Sequence, residues 1–154
     1  MHTILIIDDD ELVTTALRNL FRLRTDYTAV AYTSPPEALD KSRSQQFDLV
    51  ISDYLMPGID GVEFLGRFKD LQPQAIRILL TGYADKDSAV RAINQVGLYQ
   101  YVEKPWDNEA LLVVVRNALE KASLLRTLDQ KIKELQDARI NLTDFQNQLI
   151  RAFI

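Results

Sequence analysis

The amino-acid sequence predicts a doubly wound α/β domain followed by a long helix. Three observations carry that expectation. Five short apolar runs alternate with segments of helical periodicity, Gly and Pro mark the junctions, and from Glu109 onward there is neither Gly nor Pro. Strands alternating with helices imply right-handed crossovers and an open parallel sheet covered on both faces.

The first run, Thr3 to Ile7, is apolar and β-branched, as suits a strand buried on both faces. Leu12, Val13, Ala16, Leu17, Leu20 and Phe21 then recur at helical spacing, which predicts a helix with Asp10 as its N-cap. Tyr27 to Tyr32 reads as the second strand, and Ser34-Pro-Pro-Glu37 offers the polar cap and early prolines of a second helix. Phe47 to Ser52, Ile76 to Leu80 and Leu98 to Val102 supply three further strands. Between them, Val62 to Leu71 and Asp85 to Val96 carry helical spacing, set off by Pro57-Gly58, Gly61, Pro73, Gly82 and Gly97.

In the tail, Leu111, Leu112, Val115, Ala118, Leu119 and Ala122 form one apolar face. Leu128, Leu135, Leu142 and Leu149 then recur every seven residues, with Leu125 and Ile132 three residues before the first two, a heptad seam. Arg139 and Gln146 interrupt it while Phe145, Ile150 and Phe153 shift the apolar face, so a register change would fall there. At about 1.5 Å per residue, a helix from Asn108 to Ile154 would reach about 70 Å, beyond what one small domain covers. The expected organisation is a domain over residues 1–121 and a coiled-coil extension or linker over 122–154. Pairing with a second copy is expected to bury the seam.

With 154 residues, 47% apolar and 26% charged, the composition is that of an ordinary globular protein. A net charge of -4 argues against a nucleic-acid surface, which needs clustered Lys and Arg. The absence of Cys excludes disulfides and thiolate metal sites and fits a reducing compartment. No apolar stretch approaches the roughly 18 residues of a membrane span, and no basic-then-apolar leader opens the chain. A cytoplasmic protein, mature from Met1, is the expectation. The single histidine, His2, is expected to be an exposed terminal residue, which leaves no histidine-based catalysis.

The chemistry lies at the strand ends. Asp8 and Asp9, Asp53, Thr81 and Lys104 each follow or close an apolar run, where ligands sit in open α/β sheets. Carboxylates with one hydroxyl and one ammonium form the set that holds a divalent metal and a phosphate together. If the strand order is 2-1-3-4-5, the flavodoxin-like order, Asp53 ends the central strand. At about 4.8 Å between strands, Asp8, Asp9 and Thr81 are then one strand away, and Lys104 starts about 10 Å away, where only a long side chain reaches back. Three carboxylates brought together repel unless a hard cation such as Mg²⁺ joins them. Asp53 can then attack a phosphoryl donor as a nucleophile, with Lys104 and Thr81 stabilising the transferring oxygens.

Four motifs in order now resemble a known family: Ile4-Leu-Ile-Ile-Asp-Asp-Asp-Glu11, Asp48-Leu-Val-Ile-Ser-Asp-Tyr-Leu-Met-Pro-Gly-Ile-Asp-Gly61, Leu80-Thr-Gly82 and Tyr101-Val-Glu-Lys-Pro105. They look like the receiver domain of two-component response regulators, over about residues 1 to 121. The resemblance implies that Asp53 is the phosphoacceptor, that Asp9 and Asp53 ligate Mg²⁺ directly, and that Asp8 holds a metal-bound water. The Leu55 backbone carbonyl completes the protein's share. It further implies a switch in which Thr81 turns toward the phosphoryl group and Tyr101 moves inward, and a cis Lys104-Pro105 bond. A sensor histidine kinase or phosphotransfer protein is the implied donor. Leu55 and Gly82 stand at positions that vary in the family and are expected to tune phosphoryl lifetime. Trp106-Asp107 is similar to receivers ahead of HD-GYP cyclic-di-GMP phosphodiesterases and of some transcriptional activators. An output domain beyond Ile154 is therefore expected, since the chain stops at Phe153-Ile154 inside an unfinished helical pattern.

Plainer readings compete. Asp8 and Asp9 alone would serve as well as a helix N-cap cluster, but not in the company of Asp53, Thr81 and Lys104. Tyr101 could be a packed strand aromatic, and Trp106 is expected to be a core or interface anchor. Two other functions compete. One is a haloacid-dehalogenase-like phosphatase with Asp8 as nucleophile and Asp10 as acid, which leaves Asp53 unexplained. The other is a dimerisation module that no longer signals.

Overall fold

The computed structural model describes residues 1–82 and 86–153. The elements run β1 (Thr3–Ile7), α1 (Glu11–Arg24), β2 (Thr28–Tyr32), α2 (Pro35–Lys41), β3 (Leu49–Asp53), α3 (Gly61–Leu71), β4 (Ile76–Thr81), α4 (Lys86–Val96), β5 (Gln100–Glu103) and α5 (Asn108–Phe153). All strand pairs are parallel, in the order β2-β1-β3-β4-β5, the expected doubly wound topology. By contacts the chain divides into two compact units, Met1–Ala122 and Ser123–Ile154.

Within the first unit the sheet separates two apolar layers. Leu5, Ile7, Val50 and Leu79 face one way and pack with Ala38, Phe64, Leu65 and Phe68 of α2 and α3. Ile4, Ile6, Leu49, Ile51, Ile78 and Leu80 face the other way, against α1 and the part of α5 that carries Leu111, Val115, Ala118 and Leu119. Strands buried on both faces explain why β1, β3 and β4 read as nearly unbroken apolar runs rather than as alternation. Asp10 caps α1, its side chain accepting from the Leu12 amide, as expected.

Several boundaries differ from the sequence reading. Leu12 and Ala16 are exposed and Thr14 is buried in their place, because the stripe facing the sheet runs through Thr14, Leu17, Leu20 and Phe21. Phe47 and Leu98 are buried but precede their strands, anchoring loops rather than joining ladders. Asp85, the expected start of α4, lies outside the described residues. His2 is partly buried, not exposed: its ring meets Tyr27 edge-on and its Nδ1 lies 3.8 Å from Asp48 Oδ2.

Two polar side chains hold the loops on the sheet's lower edge. Gln72 is buried, accepts from the Phe47 amide at 2.8 Å and donates to the Ser42 and Gln45 carbonyls at 2.8 and 2.7 Å. Arg77 of β4 donates to the carbonyls of Pro73, Ala75, Val96 and Gly97, tying the end of α4 to the start of β4. In the second unit Leu125, Leu128, Ile132, Leu135, Leu142 and Leu149 are all exposed. Among the described residues no helix is long and apolar enough to cross a membrane.

Candidate functional site

Register builds the site. β1 and β3 are parallel neighbours with Ile7 opposite Ser52, so the next residues along, Asp8 and Asp53, come out side by side at the same edge. Asp8 is fully buried, and its Oδ1 accepts from the Asp10 amide at 2.9 Å. Asp53 is nearly buried, with Oδ1 accepting from the Tyr54 amide at 2.9 Å. Asp9 is exposed, yet one carboxylate oxygen from each of Asp8, Asp9 and Asp53 lies within 4.8 Å of the other two.

Lys104 arrives from the far side. It follows β5, where Glu103 stands opposite Thr81, and its own amide donates to the Thr81 carbonyl at 2.7 Å. From there the ammonium reaches 2.9 Å from Asp53 Oδ1 and 2.8 Å from Asp8 Oδ2. An amine starting about 10 Å from the central strand can do this only through a long side chain. The Lys104-Pro105 bond is cis, as expected.

The electrostatics follow from burial. Burial foremost, with the Asp8 charge behind it, raises the Asp53 pKa above its ordinary 3.8, against the opposing pull of Lys104. For Lys104, burial works to lower the pKa, but hydrogen bonds to Asp8 and Asp53 outweigh it and hold the ammonium above its usual 10.5. The amine therefore stays charged while Asp53 sits where its own charge is disfavoured.

Thr81 closes β4 and is fully buried. Its Oγ1 is the one buried side-chain N or O among the described residues without a hydrogen-bond partner. A buried hydroxyl without a protein partner costs free energy and is free to donate to an acceptor brought beside it. Tyr101 of β5 pairs in register with Leu79, two residues before the Thr81–Glu103 pair, so it shares the Thr81 face of the sheet, half-buried against that face's core. Leu55 follows Asp53 by two residues with its side chain exposed, in the loop that leads to α3.

One residue that shapes the site stands in the sequence only as a junction glycine and the last residue of the second motif. Gly61 donates its amide to the Tyr54 carbonyl at 2.7 Å and closes the loop under Asp53. A Cβ there would overlap the Asp53 carbonyl oxygen and fall 2.8 Å from Leu79 Cδ1. The signal was the glycine after Asp60, the residue whose carboxylate caps α3. Trp106 is half-buried against the α1/α5 core, with Nε1 donating to Asn108 Oδ1 at 3.0 Å, the anchor expected of it.

Comparison with known proteins places this geometry. The family model described as the response regulator receiver domain matches residues 4–116. The hydrogenase transcriptional regulatory protein HoxA of Cupriavidus necator is 34% identical over 79% of this chain and 25% of its own length. The C4-dicarboxylate transport transcriptional regulatory protein DctD of Pseudomonas aeruginosa is 37% identical over 85% of this chain and 29% of its own. The chain thus spans only about a quarter of the length of these two relatives. Among solved structures, the signal receiver domain of an HD domain-containing protein from Pseudomonas fluorescens superposes with a TM-score of 0.77 at 36% identity, covering 82% of this chain and 92% of that one. With the family model matched over residues 4–116 and relatives more than 30% identical over most of the chain, the chain belongs to the receiver domain family of two-component response regulators.

Proposed function

We propose that this receiver takes a phosphoryl group on Asp53 and passes the resulting change through α5 to an output domain. In the proposed assignment residues 1–121 are the receiver and 122–154 a helical coiled-coil extension. The observation that carries the reading is Lys104 bridging Asp8 and Asp53 beside an unpartnered Thr81 hydroxyl.

The residues fit a hard divalent cation. Three carboxylates converge, one of them fully buried, and a single ammonium leaves their charge uncompensated. Asp8, Asp9, Asp53 and the Leu55 carbonyl would hold Mg²⁺, which when bound supplies positive charge to the transferring phosphoryl oxygens. Asp53 supplies the attacking carboxylate oxygen. Its bond to phosphorus forms as the phosphorus–nitrogen bond of a phosphohistidine breaks, and the imidazole leaves with the electron pair. Lys104 holds Asp53 in place and faces the incoming charge. Thr81 donates its free hydrogen to a phosphoryl oxygen, and Tyr101, on the same face, carries the rearrangement outward.

The donor is a sensor histidine kinase or phosphotransfer protein, and the setting is cytoplasmic. For the output, relatives named transcriptional regulators and a neighbour from an HD domain-containing protein support a DNA-binding activator or an HD-GYP phosphodiesterase. The chain is a phosphoryl acceptor, not a turnover enzyme. Asp10 speaks against the phosphatase alternative: it is exposed and already engaged in capping α1, whereas Asp53, which that alternative leaves idle, lies within the carboxylate cluster.

Labelling with acetyl phosphate tests the reading. An acid-stable, base-labile acyl phosphate lost in Asp53→Asn and retained in Asp8→Asn supports it, and the reverse pattern supports the phosphatase. A beryllofluoride mimic that leaves helix exchange unchanged would identify a module that no longer signals. We further propose that the seam of Leu125, Leu128, Ile132, Leu135, Leu142 and Leu149 pairs two copies of the chain.

A further inference from the structure

We infer that Ser52 is a positioning residue for Asp53, its hydroxyl holding the peptide plane that aims the carboxylate; this rests on the reading of Asp53 as phosphoacceptor and deepens it. Ser52 is out of keeping with its surroundings. It stands in register between Ile7 of β1 and Leu79 of β4, all three fully buried on one face of the sheet. That face packs against Phe64, Leu65 and Phe68 of α3. A β-branched aliphatic residue suits a central strand between two such neighbours, whereas a buried hydroxyl is costly without a partner. Ser52 has one: its Oγ donates to the Asp53 carbonyl oxygen at 2.9 Å.

The carbonyl takes that donor because β3 outruns β1. Their register ends at Ile7 and Ser52, one residue short of Asp53. A trans peptide group, as between Asp53 and Tyr54, points its C=O and its N–H in opposite directions. The Tyr54 amide donates toward β4, to the Leu80 carbonyl at 3.0 Å, so the Asp53 carbonyl points toward β1, past the last ladder pair. Ser52 supplies the hydrogen there.

One peptide plane therefore sets the direction of the Asp53 side chain. At its amide end the Tyr54 N–H serves both the Leu80 carbonyl and, at 2.9 Å, Asp53 Oδ1. At its carbonyl end it is held by Ser52 Oγ and abuts Gly61, where a Cβ would overlap the oxygen. The Lys104 ammonium lies 2.9 Å from the same Oδ1. Amide and ammonium thus meet at one oxygen, and the tilt of the plane fixes the rotation of the carboxylate. Without the hydroxyl the plane keeps its anchor at Leu80 and loses the one at its carbonyl end, so the Tyr54 N–H swings relative to Oδ1. A nucleophile held in its attacking orientation reacts faster than one that must find it.

Ser52→Ala removes the hydroxyl with little change in volume, Ser52→Thr keeps it, and Gln72→Leu is a destabilised control at the opposite edge of the sheet. Two quantities are read: amide hydrogen exchange by NMR in metal-free protein, and the rate of acetyl phosphate labelling with Mg²⁺. In Ser52→Ala the Tyr54 amide should exchange about fivefold faster, the factor that one neutral hydrogen bond is worth, and labelling should slow by about the same factor. The amides of Leu49 and Ile51, in the same strand, should keep their parent rates. Ser52→Thr should restore both quantities, and Gln72→Leu should label as the parent does. Parent rates of Tyr54 exchange or of labelling in Ser52→Ala overturn the assignment, as does an acceleration shared by Leu49 and Ile51, which marks general loosening of β3. A label that survives Asp53→Asn removes the phosphoacceptor reading instead, and Tyr54 exchange then still decides whether Ser52 holds the plane.

Discussion

Replacing Gly61 by Ala separates the demands of the site from those of ordinary loop geometry. The added methyl would overlap the carbonyl oxygen of Asp53, lie 3.0 Å from its carbonyl carbon and 2.8 Å from Leu79 Cδ1. The side chain of Leu79 can give, but a backbone carbonyl in the last residue of β3 cannot move without carrying the Asp53 side chain along. Overpacking of this kind costs about 1–3 kcal/mol, and loss of the Gly61–Tyr54 hydrogen bond adds about 1 kcal/mol. A total of about 3 kcal/mol corresponds to a melting temperature lower by roughly 10 °C for a domain of this size. Acetyl phosphate labelling should fall with it, since Asp53, the proposed nucleophile, is displaced. Gly58→Ala is the control: its φ of +89° makes Ala strained, but no atom lies within 4 Å of the new methyl. It should cost about 1 kcal/mol and leave labelling intact. Thermal unfolding by circular dichroism and phosphate labelling read both variants. A Gly61→Ala protein that melts within about 2 °C of the parent and labels normally would refute the close-approach argument.

Three further outcomes follow from the site and its supports. Thr81→Val removes a buried hydroxyl that has no partner. It should therefore stabilise the unphosphorylated protein by about 1 kcal/mol in urea unfolding while slowing acyl phosphate formation tenfold or more, roughly; a destabilised variant that labels at the parent rate contradicts both halves. In metal-free solution, the Asp53 pKa raised above 3.8 means that its contribution to stability is whole at low pH and is lost as pH rises through the folded-state value. Asp53→Asn lacks that titration, so its melting temperature should gain on the parent's as pH climbs from about 4 toward neutrality; a constant difference would count against burial as the dominant influence. Gln72→Leu leaves the Phe47 amide and two loop carbonyls unsatisfied and should cost about 3 kcal/mol by denaturant titration, with labelling unaffected because the change lies at the opposite edge of the sheet.

The sequence carried the topology well because this fold writes it in period and punctuation. β1 and β3 are buried on both faces, so Ile4 to Ile7 and Leu49 to Ile51 read as continuous apolar runs, and the crossover helices follow from their amphipathic spacing. The candidate site residues were legible for the same reason: Asp8, Asp9, Asp53 and Lys104 follow or close apolar runs, and the parallel sheet brings them together at one edge. What escaped detection depends on close approach or on side chains reaching across the fold. Gly61 matters through atoms eight residues back in the chain, and Gln72 through an amide twenty-five residues away. Leu12 misled because its spacing fits the helix while its azimuth does not: at 80% exposure it lies off the stripe that Thr14 completes. His2 looked like a frayed end, but the β1 ladder places it beside Asp48 and Tyr27.

Charge explains why the signal should leave the site through Thr81. Asp8, Asp9 and Asp53 bring three negative charges when ionised, and Lys104 one positive, so the cluster carries two negative charges that a divalent cation can balance. In the proposed reaction, Asp53 loses its own charge on forming the acyl phosphate, and the phosphoryl group brings about two. The occupied site therefore ends about one charge more negative than metal and lysine together neutralise. That excess must be met by polar hydrogens. The Asp10 and Tyr54 amides already point at carboxylate oxygens, and Lys104 is shared between two of them. The Thr81 hydroxyl is the buried donor with no prior engagement among the described residues, so it can turn at no cost in broken hydrogen bonds. In the proposed switch that movement would open space on the face Thr81 shares with Tyr101, whose half-buried ring lies on the neighbouring strand β5. The coupling residue is thus selected by being the unsatisfied one, which is also why Thr81→Val should gain stability and lose function together.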